Sequence, residues 1–233
     1  MNIKIATFNV QHFENFNTEM IDYDAFAETI KSFDADIIGL NEVRGQGSAE
    51  GYDAQAEILA EKTGYTYYFA KATEIGAGNP YGNAVLTRLP VKSFETAPIP
   101  DPDTRGYDDY YETRCVLKMT LENGLKVLIT HFGLNPDEHE NAVKTLLPLI
   151  NGEKTVLTGD LNVRPDSPVL DPIRRVLKDT AIASADALLT FPSDNPDRKI
   201  DYIFTSGDIT AANVFVPELV LSDHRPLLTD IAF

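Results

Sequence analysis

The chain has 233 residues, 43% of them apolar, and carries 36 acidic against 20 basic side chains for a formal net charge of −16. That length allows one large α/β domain with a substantial core, and no apolar tract approaches the ~18 residues that a membrane span needs. The excess of acid repels polyanions at long range, which speaks against tight, sequence-blind binding of duplex nucleic acid.

Met1-Asn2-Ile3-Lys4 opens directly into a strand pattern instead of a signal peptide, so a soluble, cytoplasmic, monomeric protein without membrane attachment is expected. The lone Cys115 lies in an apolar run and reads as a buried thiol with no partner for an internal disulfide and nothing that marks it as a nucleophile.

Taken in order, Ile3 to Val10 alternates apolar with polar or small residues, the period of a half-buried strand, and leads to Asn9, Gln11 and His12 at its end. Asp22 caps a helix with Phe26, Ile30 and Phe33 on one face, and Asp36 to Val43 reads as a buried strand, completing a β-α-β opening. Glu42 is the oddity of that strand, a carboxylate that either sits at a rim in water or serves as a ligand. A second helix is predicted from about Asp53 to Lys62 with its stop at Gly64, followed by the aromatic strand Tyr65 to Phe69. Gly82 to Leu89 forms a short strand closed by Pro90, and the Pro/Asp/Tyr-rich stretch from Pro98 to Glu112 is a long surface loop. Cys115 to Leu121 and Leu125 to Thr130 flank Asn123-Gly124, a strong hairpin signal.

The hairpin ends at Thr130-His131. Asp137 with Glu140 is read as a capping box for the helix bearing Val143, Leu146, Leu147 and Ile150, and His139 in its first turn is expected in solvent. The short run Val156-Leu157 leads into Thr158-Gly159-Asp160-Leu161-Asn162, a Gly-Asp-x-Asn loop that can aim a carboxylate and an amide at one point. Ser167-Pro168 starts a helix with Leu170, Ile173 and Leu177, and three further strands are expected at 200–204, 213–216 and 229–233. Without internal repeat or linker, residues 1–233 read as one domain.

Asn9, Glu42, His131, Asp160, Asn162, Asp201, Asp223 and His224 fall mostly at the ends of apolar strand patterns, and strand ends on one edge of an α/β sheet converge on a crevice. Carboxylates brought together repel unless a cation is present, and hard oxygen ligands suit Mg²⁺ or Mn²⁺ better than zinc. Leu221-Ser222-Asp223-His224-Arg225-Pro226 adds a carboxylate and an imidazole in a turn, although that hexapeptide alone reads as an ordinary Ser-Asp turn with an incidental His.

Thr7-Phe8-Asn9, Asn41-Glu42-Val43, Gly82 to Arg88, Thr130-His131, Gly159 to Asn162, Ile200 to Ile203 and Ser222 to Pro226 occur in an order that resembles the endonuclease/exonuclease/phosphatase superfamily of metal-dependent phosphoesterases. The likeness spans residues 3 to 233. It implies a four-layer α/β sandwich, two mixed β-sheets face to face with helices outside and the site in a cleft at one rim. It also implies Mg²⁺- or Mn²⁺-dependent hydrolysis of a phosphodiester or phosphomonoester by an activated water.

On this resemblance Glu42, with Asn9 and Asp223, holds the metal, while Asp160 orients or deprotonates the water and Asn162 fixes it. His224, oriented by Asp201, holds a phosphoryl oxygen or relays a proton, and His131 sits on the other side of the phosphate. Arg88 or Arg114 could clamp a further substrate oxygen, and each reads equally as a strand-end arginine paired with surface acid. Gln11 and His131 depart from the abasic-site endonucleases, which have Asp and Tyr there, and Asn41 stands where many members have Gln.

Asp101 to Glu112 carries five acidic residues, one arginine and three tyrosines. If that stretch borders the cleft it disfavours a long phosphate backbone, so a small phosphodiester or phosphorylated metabolite is the expected substrate, short single strands second and duplex DNA poor. The alternatives are a nuclease acting on DNA or RNA, or a weakly active domain of the same fold that binds a phosphorylated ligand.

Overall fold

Strand-forming runs alternate with capped helices along the chain, and the computed structural model, which describes residues 1–150 and 152–233, shows how they stack. The first third holds β1 (Asn2–Asn9), the short hairpin β2 (Glu14–Asn15) and β3 (Met20–Ile21), α1 (Tyr23–Phe33), β4 (Ile37–Arg44) and α2 (Gln55–Thr63). The middle third holds β5 (Thr66–Glu74), β6 (Pro80–Thr87), β7 (Val91–Pro98), β8 (Cys115–Leu121), β9 (Lys126–Thr130) and α3 (Pro136–Leu149). After these come β10 (Thr155–Asp160), the short α4 (Asp171–Arg174), β11 (Lys178–Asp179), β12 (Asp201–Thr205), β13 (Thr210–Phe215) and β14 (Leu227–Ala232).

One six-stranded sheet runs β13-β14-β1-β4-β6-β5 and the other β11-β12-β10-β9-β8-β7. Each is mixed in the same way: a parallel pair at the centre, β1 with β4 or β9 with β10, has antiparallel neighbours on both sides. Their inner faces meet through Ile3, Ile5, Ile37 and Val85 against Leu117, Met119, Val127, Ile129 and Ile203. Gly39 leaves room for the facing sheet, since a Cβ there would lie 3.2 Å from Thr158 Cγ2. Phe26, Ile30 and Leu59 of α1 and α2 cover Phe8 and Leu40 on one outer face. Val143, Leu146 and Ile173 of α3 and α4 cover Leu128 and Leu157 on the other. Helix, sheet, sheet, helix is the four-layer sandwich.

Local chemistry explains most of the boundaries. Asp22 Oδ1 accepts the Ala25 N–H at 3.0 Å and starts α1, while Gly64 ends α2 in the left-handed conformation that a side chain disfavours. Gly124, at φ 86°, makes the turn between β8 and β9.

Three expectations are corrected. The capping box of α3 is Asn135 with Glu138 and not Asp137 with Glu140, because Pro136 occupies the first turn, where its missing N–H costs nothing. His139 is buried, its Nε2 2.9 Å from Gly133 O and its ring against Phe132. The helix expected after Ser167 breaks into a 3₁₀ turn and the four-residue α4, whose first turn contains Pro172. The edge strand β7 was not anticipated, since its side chains are mostly exposed and leave little apolar alternation to read.

Residues 99–114 carry no regular element, yet the stretch is tied to the start of α3. Tyr111 Oη donates to Asp137 Oδ2 at 2.7 Å, Glu112 N to Glu138 Oε1 at 3.2 Å and Asn135 Nδ2 to Asp109 O at 3.2 Å. Among the described residues, no helix is long and apolar enough to cross a membrane.

Candidate active site

Strand direction brings the polar residues to one rim. β1, β4, β9 and β10 all point their C-terminal ends there and deliver Asn9, Glu42, His131 and Asp160. β12 and β14 run antiparallel to these neighbours, so the beginnings of those strands lie at the same rim with Asp201 and the Asp223-His224 turn.

Glu42 sits in an irregularity of β4, at φ 61°, between Leu40 and Val43. Its Oε1 accepts from Asn9 Nδ2 at 3.0 Å and its Oε2 from Tyr81 Oη at 3.0 Å. Asn9 Nδ2 also donates to Asp160 Oδ2 at 3.1 Å, and Asn9 Oδ1 accepts the Gln11 N–H at 3.2 Å. Asn9 Nδ2 thus ties two carboxylates together, while Oδ1 keeps a second lone pair beside the one that takes the Gln11 N–H. Burial pushes the Glu42 carboxyl up, but His131, the Asn9 amide, His12 and Tyr81 outweigh it and hold it below the usual carboxylate range. Asp223 behaves oppositely: burial, joined by the neighbouring Glu42 and Asp160 charges, raises it against the opposing pull of His224.

Asp160 is 1% exposed and follows a glycine that no other residue can replace without moving backbone. Gly159 has φ 138°, and a Cβ there would lie 1.9 Å from Thr130 O on β9. Asp160 Oδ1 accepts the Asn162 N–H at 2.9 Å, while Oδ2 faces His131 Nε2 at 3.4 Å and His224 Nε2 at 3.5 Å. Burial pushes its carboxyl up, and His224, His131 and the Asn162 N–H more than reverse that, so it stays ionised well below the usual range.

His224 Nδ1 lies 2.9 Å from Asp201 Oδ2, with the Phe191 ring packed alongside. Burial disfavours its cation, yet Asp201, Asp160 and Asp223 push its pKa up to about 10. Asn41 clasps the two sheets below the site: its Oδ1 accepts the Asp160 N–H at 3.0 Å, and its Nδ2 donates to Asn83 Oδ1 at 2.7 Å and Thr130 O at 3.0 Å.

The arginines separate. Arg114 reaches the rim, where Nη1 donates to His131 Nδ1 at 3.0 Å and pairs with Glu112. Arg88 does not. It follows the far end of β6, roughly 20 Å from Tyr81 at about 3.4 Å per residue, and there it pairs with Asp34 at 2.7 Å and covers the Tyr65 ring. The family motif places it after a strand whose direction carries it away from the site.

Tyr81 and His12, which the sequence reading did not assign, also belong to this rim. Tyr81 Oη lies 3.2 Å from His12 Nδ1, and burial together with the Glu42 charge pushes its phenol far above its ordinary range. The available signal was position alone, since Tyr81 opens the strand antiparallel to that of Glu42.

The donor set fits a divalent cation. One ligand atom each from Asp160, Asp201 and His224 lies within 4.8 Å of the others, a group that could hold a metal ion, with the two carboxylates as its ligands while His224 is protonated. Glu42 and Asp223 add hard oxygens beside it. Asp201 Oδ1 is buried without a hydrogen-bond partner among the described residues, and Asp223 is raised by its neighbours' charge. Both conditions are relieved by a positive charge.

Comparison with known proteins gives the family and the fold. Residues 6–224 match the Endonuclease/Exonuclease/phosphatase family. Among solved structures, the fold is shared with the endonuclease/exonuclease/phosphatase from Bacteroides vulgatus (TM-score 0.78, 23% identity, covering 100% of this chain and 99% of that one). It is shared with the mannosyl-6-phosphatase of Bacteroides thetaiotaomicron VPI-5482 (TM-score 0.76, 17% identity, 99% and 100% covered). Truncated TDP2 of Caenorhabditis elegans also has it (TM-score 0.67, 16% identity, 100% and 98% covered). No curated protein matches the chain.

Proposed function

Because the chain belongs to the endonuclease/exonuclease/phosphatase family, whose members are hydrolases acting on phosphoester bonds, we propose that it hydrolyses a small or single-stranded phosphoester with the help of Mg²⁺ or Mn²⁺. The observation that carries this reading is the surroundings of Asp160 Oδ2, met by the Asn9 amide and by the Nε2 atoms of His131 and His224 at the mouth of a carboxylate cluster. A buried, ionised carboxylate between two imidazoles is placed to handle a proton.

Glu42 and Asp223, with Asn9 Oδ1, would hold the cation, and the Asn9 amide N–H groups set the spacing between Glu42 and Asp160. When bound, the ion supplies charge neutralisation at a phosphoryl oxygen and at the leaving oxygen. Asp160 Oδ2 orients the attacking water and takes its proton, and Asn162 fixes the water. His224, kept protonated by the Asp201 carboxylate behind it, presents Nε2–H to a phosphoryl oxygen, and His131 does so from the opposite side. Arg114 supports His131 and lies close enough to the rim to meet a substrate oxygen.

Two observations support the choice of substrate. The acidic 101–112 stretch ends at Glu112, which pairs with Arg114 beside His131, so the stretch joins the rim at that point and its excess of acid disfavours a long phosphate backbone there. One protein of the same fold is a mannosyl-6-phosphatase, consistent with a small ester.

The test is an assay of the purified protein with Mg²⁺ or Mn²⁺ against a phosphoester panel. Hydrolysis that disappears in chelator, with kcat/KM higher for a dinucleotide or sugar phosphate than for duplex DNA at low and moderate salt, is the expected result. Full activity in chelator would sink the metal reading. Efficient cutting of duplex DNA at low salt, with small esters untouched, would replace the substrate reading by that of a nuclease.

A further inference from the structure

Gln11, His12 and Phe13 have φ of 41°, 50° and 63°, three consecutive side-chain-bearing residues in the left-handed region. That region disfavours any residue with a Cβ, and such a run persists only where its surroundings hold it. Here they do. Gln55 Nε2 from the start of α2 donates to His12 O at 2.6 Å, the Gln11 N–H is taken by Asn9 Oδ1, and Phe13 is fully buried against Phe26.

The turn sets the His12 imidazole against Tyr81, with ring centroids 5.6 Å apart and Nδ1 3.2 Å from Tyr81 Oη. Tyr81 Oη in turn donates to Glu42 Oε2 at 3.0 Å, so the proton in the first contact comes from His12 Nδ1. Glu42 itself hangs from a left-handed backbone at φ 61°, where its side chain has no regular strand neighbour to fix its direction.

We propose that His12 and Tyr81 are positioning residues, a two-bond relay that fixes the plane of the Glu42 carboxylate for a divalent cation. With Oε1 held by Asn9 and Oε2 by Tyr81, both oxygens keep a lone pair aimed into the cleft and neither can swing away. Carboxylate ligands depend on such outer partners for orientation, and loss of one typically weakens metal binding by roughly 10–100-fold. The left-handed turn is what this placement requires, because an extended backbone at position 12 would carry the imidazole off Tyr81.

The inference rests on Glu42 being a metal ligand, and its test separates the two. Mn²⁺ binding to the full chain is measured by calorimetry for the wild type, Glu42→Gln, Tyr81→Phe, His12→Gly and His12→Asn, alongside each unfolding midpoint. Tyr81→Phe and His12→Gly are expected to bind Mn²⁺ roughly tenfold or more weakly. His12→Gly should keep an unfolding midpoint no lower than that of the wild type, since glycine accepts the left-handed turn. His12→Asn, which tolerates that conformation and offers an amide donor, should restore part of the affinity. Wild-type affinity in Tyr81→Phe and His12→Gly, with binding lost in Glu42→Gln, overturns the relay and leaves the phosphoesterase reading standing. No Mn²⁺ binding by the wild type, or unchanged binding in Glu42→Gln, overturns both.

Discussion

The two rims of the sandwich hold similar residues in different company. At the rim of Asp160, the acids are drawn inward and are met by imidazoles and amides, with charge left over at Asp223. At the opposite rim a cleft of about 440 Å³ is lined by Lys4, Asp34, Asp36, Arg88 and Asp230, as roomy as a binding site would need to be. Its acids are already answered: Asp34 by Arg88, Asp36 by the Lys4 N–H, Asp230 by Asn213. Neither the size of a cleft nor polar residues at strand ends identify a site. Buried carboxylates that converge without matching cations do.

Substitutions can break that contrast. Glu42→Gln should abolish hydrolysis, and Asp160→Asn or His224→Ala should each lower kcat by roughly a hundredfold or more, the size expected for a positioned proton-transfer or electrostatic group. A loss confined to KM would show that their roles lie in substrate affinity alone. Gly159→Ala comes next. The new methyl meets the β9 backbone, so the fold should weaken by more than about 1 kcal/mol in denaturant unfolding, and activity should fall because His131 and Asp160 are displaced from each other. Unchanged stability would mean that β9 and β10 separate more easily than their contact suggests.

The smallest effects sharpen the comparison from the other side. Arg88→Ala should leave kcat and KM unchanged within error, because its partner is an exposed aspartate at the far rim. A tenfold loss of activity there would join the two rims functionally and undo the distinction. Cys115 is buried, and desolvation pushes its thiol up to about 12. Thiolate is scarce at pH 8 in the folded protein, so a disulfide reagent should label Cys115 only after denaturant is added.

Much of this was legible in the residues. Asp22, Gly64 and Asn123-Gly124 act through their own side chains or backbone freedom, so their signals are local and the elements begin and end where they stand. The site residues were legible because strand ends share a direction within a sheet, and the structure brings Glu42, His131, Asp160, Asn162, Asp201, Asp223 and His224 to one rim. What stayed hidden depends on how the chain turns and on partners it brings together from elsewhere. His139 looked solvent-facing because its acceptor, Gly133 O, and the Phe132 ring become its neighbours only once the chain turns into α3. For Arg88 the sequence left clamp and surface-paired strand-end arginine equal, because the motif gives its neighbours in sequence but not the direction of β6, and its pair with Asp34 is the second. Tyr81 and His12 are 69 positions apart, and nothing local announces that they meet.

Asn41 has a consequence in time. Its amide spans the gap between the sheets, taking the Asp160 N–H with one end and Thr130 O with the other, so Asp160 is aimed only after the two sheets have docked. The sheet of β7 to β12 can pair its own strands earlier, through contacts closer in sequence than the 119 positions separating Asn41 from Asp160, whereas the other sheet has to join β1 to β14 across almost the whole chain. During refolding, secondary structure should therefore return first and metal affinity last, with the lag between them reporting the docking step. Asn41→Ala should lengthen that lag more than it slows the recovery of strand content.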